Sequence, residues 1–322
     1  MSGPVQTAKH DDIGEMVSLL EEAHRDLARH WLGDDFVIEL LLASVIAKGH
    51  VLVVDVPGVG KTTLAKSIAQ ILGLHFSRIQ FTNDILPADI LGGSIYNPAE
   101  ASFSFSPGPI FTDFLLADEI NRAPTRSQSA FLQAMEEGYV AADGVNHPLS
   151  ELFTVIATQN PIDFDSTNPL PEAQLDRFLT SISLGYPDVE SELHLLNDYA
   201  ATAGHDPAPV LTREIVMRLR QACEDVFLHP DLARYIIDIA RESREDPRVR
   251  LGISPRGSMH LANACKAFAL VKGRRQVLAE DIQRLMPCVW DHRILPRHGR
   301  DHDSAHAHEI LQEILVRIPV PR

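Results

Sequence analysis

A glycine-rich segment with a lysine and two threonines is the clearest candidate for chemistry in this chain. It reads Asp55-Val56-Pro57-Gly58-Val59-Gly60-Lys61-Thr62-Thr63 and matches the pattern GxxxxGK[ST] everywhere except at its first position. Where such a segment joins a strand to a helix, successive backbone N–H groups curl around phosphates at the positive end of the helix dipole. The sequence therefore predicts a phosphate-binding loop.

The side chains of this loop predict that it binds a nucleoside triphosphate together with a metal ion. Lys61 would reach the β and γ phosphates, and the hydroxyl of Thr62 would bind Mg²⁺. We expect the residues from Pro57 to Thr63 to contact ATP. Asp55 stands where the pattern has its first glycine, and a carboxylate beside a triphosphate is repelled unless it points away or pairs with a cation. We therefore expect Asp55 to weaken nucleotide affinity, with the phosphate-binding groups intact.

Two consecutive carboxylates follow an apolar run about 57 residues after the loop. The run Phe114-Leu115-Leu116-Ala117 leads into Asp118 and Glu119. Beside a phosphate loop, Asp118 would support Mg²⁺ through its water shell. Glu119 would orient and activate the attacking water. By itself an Asp-Glu pair after a strand is typical of a solvated turn. The prediction of a metal-supporting pair therefore depends on the phosphate-binding loop.

The elements that must position these residues alternate between strands and helices. Apolar, β-branched segments at residues 50–54, 76–80, 114–117, 153–158 and 179–184 predict strands, and helical segments such as 62–72 and 126–137 separate them. This alternation predicts an α/β fold with a parallel five-stranded sheet sandwiched by helices. Two further segments, 94–105 and 139–149, predict hairpin insertions.

The rest of the chain has a different pattern. An amphipathic stripe at residues 11–31 and a buried segment at 36–48 predict two helices before the first strand. Beyond residue 186, segments 190–203, 212–223, 231–245, 255–272, 279–286 and 304–316 predict helices, and we find no further strand. We therefore divide the chain into an N-terminal helix at 1–33 that packs on the core, a core at 34–187, and an all-helical domain at 188–322.

Several longer motifs extend beyond the loop and the acidic pair. They are the segments Phe105-Ser106-Pro107-Gly108-Pro109-Ile110-Phe111, Ala117-Asp118-Glu119-Ile120-Asn121-Arg122-Ala123-Pro124, Ile156-Ala157-Thr158-Gln159-Asn160-Pro161, Leu170-Pro171-Glu172-Ala173-Gln174-Leu175-Asp176-Arg177-Phe178 and Ile318-Pro319-Val320-Pro321-Arg322. With these motifs the chain resembles the MoxR family of AAA+ ATPases. They occur in the family's order, from about residue 10 to the end. The resemblance implies an AAA+ core with a helical lid, assembled as a homo-oligomeric ring, usually a hexamer, with ATP and Mg²⁺ between neighbours.

The resemblance also implies roles for three more polar residues. Asn160 matches the residue that holds the attacking water and senses the γ-phosphate. Arg177 matches the arginine presented to the ATP of the adjacent subunit, where a guanidinium can neutralise developing charge; the alternative is a surface pair with Asp176 or Glu172. Arg256 matches the second sensor arginine, which would reach the γ-phosphate from above. Arg122 is either an interface residue or part of a salt bridge.

The family's usual role is chaperone-like remodelling or activation of a partner, often a protein with a von Willebrand factor A domain. The hairpins are candidates for client contact or simple caps of the sheet. One alternative is an ATP-binding scaffold or switch with weak hydrolysis, and another is an ATPase subunit similar to that of magnesium chelatase. A DNA motor is disfavoured, because the net charge is −15 and no basic helix is evident.

Charge and cysteine content set the remaining expectations. Residues 1–185 hold 10 basic and 24 acidic residues, and the remainder holds 19 and 20, so the acidity lies almost entirely in the core. Three separated cysteines favour a reducing, cytoplasmic environment. No apolar run is long enough to span a membrane. His302 and His306 have zinc-compatible spacing, but without a third ligand we expect the C-terminal histidines to be a solvated cluster.

Overall fold

A parallel sheet forms the centre of the first part of the chain. The structure, a computed structural model, describes residues 5–31, 33–98, 101–160, 168–186, 207–297 and 304–321, together with Val189 and Leu193. The strands of this part are β1 (Val51–Val54), β2 (Phe76–Gln80), β3 (Gly92–Asn97), β4 (Ser102–Pro107), β5 (Phe114–Asp118), β6 (Tyr139–Ala142), β7 (Val145–Pro148), β8 (Thr154–Gln159) and β9 (Thr180–Ile182). Five of them pair in parallel in the order β2-β5-β8-β1-β9. The predicted parallel sheet is confirmed.

Helices precede the sheet and connect its strands. They are α1 (Val5–His30), α2 (Asp35–Ile46), α3 (Lys61–Ile71), α4 (Pro87–Leu91), α5 (Thr125–Glu137) and α6 (Glu172–Leu175), with a 3₁₀ turn at Ile120–Arg122. The sheet lies between two hydrophobic clusters, one shared with α2, α3 and the C-terminal helices, and the other with α5. Burial on both faces explains why the strands read as continuous apolar runs. The short α4 and α6 were not predicted, because four or five residues are too few to show a helical period.

Both predicted hairpins are present and they contact each other. β3 pairs antiparallel with β4, and β6 pairs with β7. The ring of Phe105 stacks on His147 with a centroid distance of 3.9 Å, which joins the two insertions. At the outer end of the first hairpin, Tyr96 and Phe103 contact each other and are half exposed or more. Phe105 is therefore partly buried, whereas Phe103 faces outward.

The second part of the chain is mainly helical. Its described helices are α7 (Arg213–Glu224), α8 (Pro230–Glu245), α9 (Pro255–Val271), α10 (Ala279–Trp290) and α11 (Ser304–Arg317). The prediction of an all-helical domain was wrong in one respect, because β10 (Val249–Leu251) pairs antiparallel with β11 (Leu295–Pro296). Strands of three and two residues are too short to show an alternation of apolar and polar residues, so no pattern predicts them. The helix predicted at 190–203 lies outside the described residues.

The N-terminal helix packs on both parts of the molecule. Met16, Leu20, Ala23 and Leu27 are buried, which confirms the amphipathic stripe. Each large apolar side chain buried in this way contributes about 1.5–3 kcal/mol before the cost of ordering. Helix α1 contacts α2 and α3 of the core and α9 of the helical part. It therefore packs on the core and also ties the two parts of the molecule together.

Two buried arginines fasten the helical part to the core. Arg220 of α7 donates to the carbonyl oxygens of Val45, Glu151 and Leu152 and to the hydroxyl of Thr154. These acceptors are all neutral, so burial lowers the pKa of Arg220 to about 10. Because its three nitrogen atoms all donate hydrogen bonds, the guanidinium group holds α7 at the end of the sheet where the strands begin.

Arg293, after α10, reaches the same edge from the other side. It forms an ion pair of 2.8 Å with Asp176 and donates to the carbonyl oxygens of Phe178 and Leu179, which lead into β9. Burial lowers the pKa of Arg293 to about 10. The helical part is thus anchored to the amino ends of the strands, and this anchoring decides which functional residues meet.

Candidate functional site

The predicted phosphate loop follows β1 and opens α3. Gly58 and Gly60 have φ of 89° and 82°, values that disfavour any residue with a Cβ. Gly60 is the N-cap of α3 and provides no side-chain cap, so the first N–H groups of this helix remain available to an anion. The loop therefore has the backbone conformation that phosphate binding requires.

The ammonium group of Lys61 lies among the oxygens of this loop. Its Nζ donates to the carbonyl oxygens of Asp55 at 2.9 Å and Val56 at 3.2 Å. Burial lowers the pKa of Lys61, and the carboxylates of Asp55, Asp118 and Glu119 act in the opposite direction. An ammonium group in this position is close enough to the acidic pair to share a phosphate and its metal ion.

Asp55 points away from the phosphate side of the loop. Its carboxylate accepts hydrogen bonds from the backbone N–H groups of Val56 at 2.8 Å, Leu184 at 2.6 Å and Gly185 at 2.9 Å, and from the hydroxyl of Ser183 at 3.2 Å. The residue is buried. The expectation that Asp55 opposes nucleotide binding loses its physical basis, because these donors already satisfy the charge. Asp55 instead connects the start of the loop to the segment after β9.

The acidic pair lies at the end of β5, one strand away from the loop. The register Val53↔Thr158 and Ala117↔Ala157 brings the ends of β1, β8 and β5 level. Asp118 is buried, and Glu119 has a left-handed φ of 57°. Non-glycine residues in this conformation are concentrated at functional sites. The chain therefore turns at Glu119, and its side chain does not continue the alternation of side chains along β5.

Hydrogen bonds fix both carboxylates. The hydroxyl of Thr158 donates to Asp118 at 2.6 Å, and Arg78 donates to the other oxygen of Asp118 at 2.6 Å. Glu119 accepts hydrogen bonds of 2.9 Å from Gln80 and from Arg122. Arg122 thus forms the salt bridge that the sequence left as one of its two readings. Arg78, Gln80 and Thr158 were missed, because they come from neighbouring strands and only the sheet register brings them here.

Asn160 completes this edge of the sheet. It follows β8, which lies between β1 and β5, and it is buried. Its backbone carbonyl accepts a hydrogen bond of 3.3 Å from the side chain of Asn121. The topology therefore brings Asn160 between the phosphate loop and the acidic pair, where a polar side chain can contact both a γ-phosphate and a water molecule.

The residues present fit a magnesium ion that is held mainly by phosphate and water. Thr62 and Asp118 offer hard oxygen ligands, and Asp118 already accepts two hydrogen bonds, which leaves it suited to contact through the water shell. Within the described residues no group of three or more His, Cys, Asp or Glu side chains could hold a metal ion. A site with few protein ligands is what Mg²⁺ bound to a nucleotide requires.

Arg177 and Arg256 lie at the opposite edge of the sheet. Arg177 precedes β9, where the N–H of Leu179 bonds to the carbonyl oxygen of His50, the residue before β1. Both guanidinium groups pair with Glu136 at the end of α5, Arg177 at 3.0 Å and Arg256 at 2.8 Å. The alternative pairing of Arg177 with Asp176 or Glu172 is absent among the described contacts, since those acids pair with Arg293 and Arg250.

Arg256 lies away from the phosphate loop of its own chain. The resemblance implies that it reaches a γ-phosphate from above. Because the buried arginines anchor the helical part at the amino ends of the strands, Arg256 lies beside Arg177, and the phosphate loop follows the carboxyl end of β1. Neither arginine lies over the loop of its own chain.

The remaining sequence expectations are settled as follows. Cys223, Cys265 and Cys288 are free, and burial raises the pKa of all three thiols. His292 is only partly exposed, and the burial of its ring lowers its pKa well below the usual range. His308 bonds to Asp291 at 3.0 Å, and His302 lies outside the described residues. No helix of the described chain is both long and apolar enough to cross a membrane.

Comparison with known proteins agrees with this architecture. Residues 50–180 match the model of the ATPase family associated with various cellular activities (AAA), and residues 241–314 match the AAA lid domain. The chain is 42% identical over 307 residues to the uncharacterized protein YeaC of Bacillus subtilis, covering 94% of this chain and 96% of that protein. It is 36% identical over 321 residues to the chaperone MoxR1 of Mycobacterium tuberculosis, covering 97% and 85% respectively.

A solved structure has the same fold throughout. The crystal structure of a candidate ATPase from Cytophaga hutchinsonii, at 30% identity, superposes with a TM-score of 0.89 and covers 99% of this chain and 100% of that one. Core and helical part therefore have the same relative arrangement in that protein. In both proteins the helical part therefore lies beside the amino ends of the strands.

Proposed function

The chain belongs to the MoxR family of AAA+ ATPases, and we propose that it hydrolyses ATP between adjacent subunits of a homo-oligomeric ring and thereby remodels a partner protein. One observation carries the proposal: the phosphate-binding residues and the two arginines lie at opposite edges of the same sheet. A catalytic site that needs both sets is complete only when a second subunit supplies the arginines.

The proposed site divides the work between two chains. The amides from Gly58 to Thr62 and the ammonium of Lys61 bind the phosphates, and Mg²⁺ at Thr62 and Asp118 would neutralise their charge when bound. Glu119 accepts a proton from the attacking water, which Asn160 helps to orient. The neighbouring subunit contributes Arg177 and Arg256, whose guanidinium groups stabilise the charge that develops on the transferred phosphoryl group.

For Glu119 to act as a base, its carboxylate must turn from its present partners toward water. Gln80 and Arg122 hold it at 2.9 Å each. While these two hydrogen bonds persist, the Glu119 carboxylate cannot accept a proton from the attacking water. The weak-hydrolysis alternative corresponds to a chain in which these contacts persist with ATP bound. Steady-state phosphate release, compared between the wild type and Glu119→Gln, tests it: a wild type no faster than the variant would support the alternative.

Subunit mixing tests which arginine acts across the interface. Glu119→Gln, Arg177→Ala and Arg256→Ala should each lower phosphate release at least about 100-fold, because each removes a transition-state contact. If both arginines act on the neighbour, equal mixtures of Glu119→Gln with either arginine variant regain about a quarter of wild-type activity, since random assembly makes one interface in four complete. A mixture of the two arginine variants stays inactive.

The cis alternative for Arg256 predicts the reverse pattern. In that case Arg256→Ala mixed with Glu119→Gln would stay inactive, whereas Arg256→Ala mixed with Arg177→Ala would recover. Neither mixture depends on knowing the client. We further propose a hexamer and, as companion, a protein with a von Willebrand factor A domain; mass measurement of the ATP-bound assembly and co-purification with such a protein test these two points.

A further inference from the structure

One carboxylate holds the two arginines that the proposed mechanism sends to the neighbouring subunit. Oε2 of Glu136 lies 3.0 Å from Nε of Arg177, and Oε1 lies 2.8 Å from Nη2 of Arg256. The two guanidinium groups come from different parts of the chain, one from the run into β9 and the other from the first turn of α9. We infer that Glu136 is a positioning residue that presents Arg177 and Arg256 as one pair.

The surroundings show why a carboxylate is needed there. The side chains border a cavity of about 540 Å³ that Lys48, Arg220 and Glu151 also line. Two guanidinium groups that converge on one point repel each other unless an anion lies between them. Glu136 is only about one-third exposed, so its attraction for both arginines is less screened than that of a free surface acid. The carboxylate thereby offsets the repulsion between the pair.

The backbone around the pair is already fixed by other contacts. Asp176 pairs with the buried Arg293, and Ser254 caps the first turn of α9 through the N–H of Gly257. The main chain beside each arginine is therefore held without Glu136. What Glu136 determines is the direction of the two side chains, so its loss should affect catalysis more than folding.

This inference rests on the proposed function, and the same mixing assay tests it separately. The substitution Glu136→Gln keeps the size of the side chain and removes its charge. It is placed either on the arginine-supplying chain, as Glu119→Gln/Glu136→Gln, or on the ATP-holding chain, as Arg177→Ala/Glu136→Gln. We expect kcat of the mixture to fall about tenfold in the first placement, with KM for ATP unchanged, and less than twofold in the second.

A neighbouring acid provides the matched control. Glu137 lies one residue further along α5, accepts from Gln133 at 2.9 Å and bonds to Tyr139, which raises the pKa of that phenol. Glu137→Gln should leave the mixed activity unchanged in both placements. Glu136→Asp, which retains the charge, should lie closer to the wild type than Glu136→Gln does, and all variants should unfold at similar temperatures.

The outcomes separate the two proposals. An equal loss in both placements, or no loss in either, overturns the positioning role of Glu136 and leaves the shared active site intact. Equal defects in Glu136→Asp and Glu136→Gln overturn it as well, since a role based on charge would distinguish them. If the mixture of Glu119→Gln and Arg177→Ala, with Glu136 unchanged in both chains, does not recover activity, the arginines do not act on the neighbouring subunit. The inference about Glu136 then fails as well.

Discussion

The hydroxyl of Thr158 donates a hydrogen bond of 2.6 Å to the carboxylate of Asp118. The hydroxyl oxygen of Thr158 also accepts a hydrogen bond of 2.8 Å from the backbone N–H of Glu119. One side chain on β8 therefore fixes both members of the acidic pair, including the turn in which Glu119 adopts a left-handed φ. The metal-supporting and water-activating carboxylates are oriented by a strand that carries neither of them.

Replacing Thr158 by valine should slow hydrolysis without abolishing nucleotide binding. Valine has a similar shape but leaves the Glu119 N–H and one Asp118 oxygen without this partner, a loss of about 1–2 kcal/mol in the ordering of the site. We expect kcat for phosphate release to fall about tenfold. Thr158→Ser keeps the hydroxyl and should stay near wild-type activity. A valine variant with unchanged kcat would remove Thr158 from the mechanism.

The contrast between Asp118 and Thr158 shows what the sequence could reveal. The phosphate loop and the acidic pair are contiguous motifs attached to apolar strands, so pattern and spacing were sufficient to find them. Thr158, Gln80 and Arg78 became recognisable only when the parallel register brought three strand ends together. A threonine inside a strand has no local signature, because its role depends on a residue 40 positions away in the chain.

Trp31 offers a direct optical test of nucleotide binding. It follows α1, and a Cβ built on Gly60 of the phosphate loop would lie only 3.2 Å from its ring. Among the described residues its buried indole N–H has no hydrogen-bond partner. A nucleotide bound at this loop would change the surroundings of the ring, so we expect the addition of ATP to change the fluorescence of Trp31 in a saturable manner.

The second tryptophan allows the signal to be assigned. Trp290 is fully buried and its indole N–H already donates to the carbonyl oxygen of Gly257 at 2.9 Å, so its surroundings should not respond. Trp31→Phe should remove most of the change, and Trp290→Phe should retain it. A signal that survives in Trp31→Phe would show that the loop and the end of α1 move independently.

Two histidines with lowered pKa values should make the protein less stable in mild acid. Burial and the nearby Arg220 lower the pKa of His50 to about 4, and burial and the nearby Arg293 lower that of His260 to about 4. The unfolded chain therefore binds more protons than the folded one between about pH 6.5 and 4, so stability is complete above 6.5 and is lost as pH falls. Each histidine contributes about 1.4 kcal/mol per pH unit in that window.

Thermal unfolding at pH 7.5 and 5.5 checks this dependence. The wild type should lose several degrees at the lower pH. In His260→Asn the amide oxygen can replace Nδ1 as the acceptor for Arg293 while no group titrates, so part of the loss should disappear. Asp291 acts in the opposite direction, because burial raises its pKa to about 6. An unfolding temperature that is independent of pH would contradict the assignment.

The anchoring of the helical part decides where Arg256 lies. The motif around Arg256 identified the residue, but its location depends on how α9 docks, and that docking is set by Arg220 and Arg293. Both arginines are buried against backbone carbonyls, which are present in every sequence and leave no pattern. Residue identity was therefore predictable, whereas the edge of the sheet that the residue faces was not.

Asp55 provides the last prediction, and it reverses the one that the sequence suggested. If the carboxylate opposed the triphosphate, Asp55→Gly would tighten ATP binding. In the structure it accepts hydrogen bonds from the N–H groups of Val56, Leu184 and Gly185, so glycine would leave these three backbone donors without their acceptor. Hydrogen bonds to a charged group contribute about 1.5–3 kcal/mol each, and their loss should lower stability more than it changes affinity.

The expected result is a lower unfolding temperature with little change in nucleotide affinity. Asp55→Gly should unfold several degrees below the wild type, whereas its dissociation constant for ATP, measured below that temperature, should stay within about threefold. Asp55→Asn keeps an oxygen for Leu184 or Gly185 and should fall between the two in stability. Tighter ATP binding in Asp55→Gly at unchanged stability would instead show that the carboxylate faces the phosphates, because only a charge near the nucleotide could act on affinity alone.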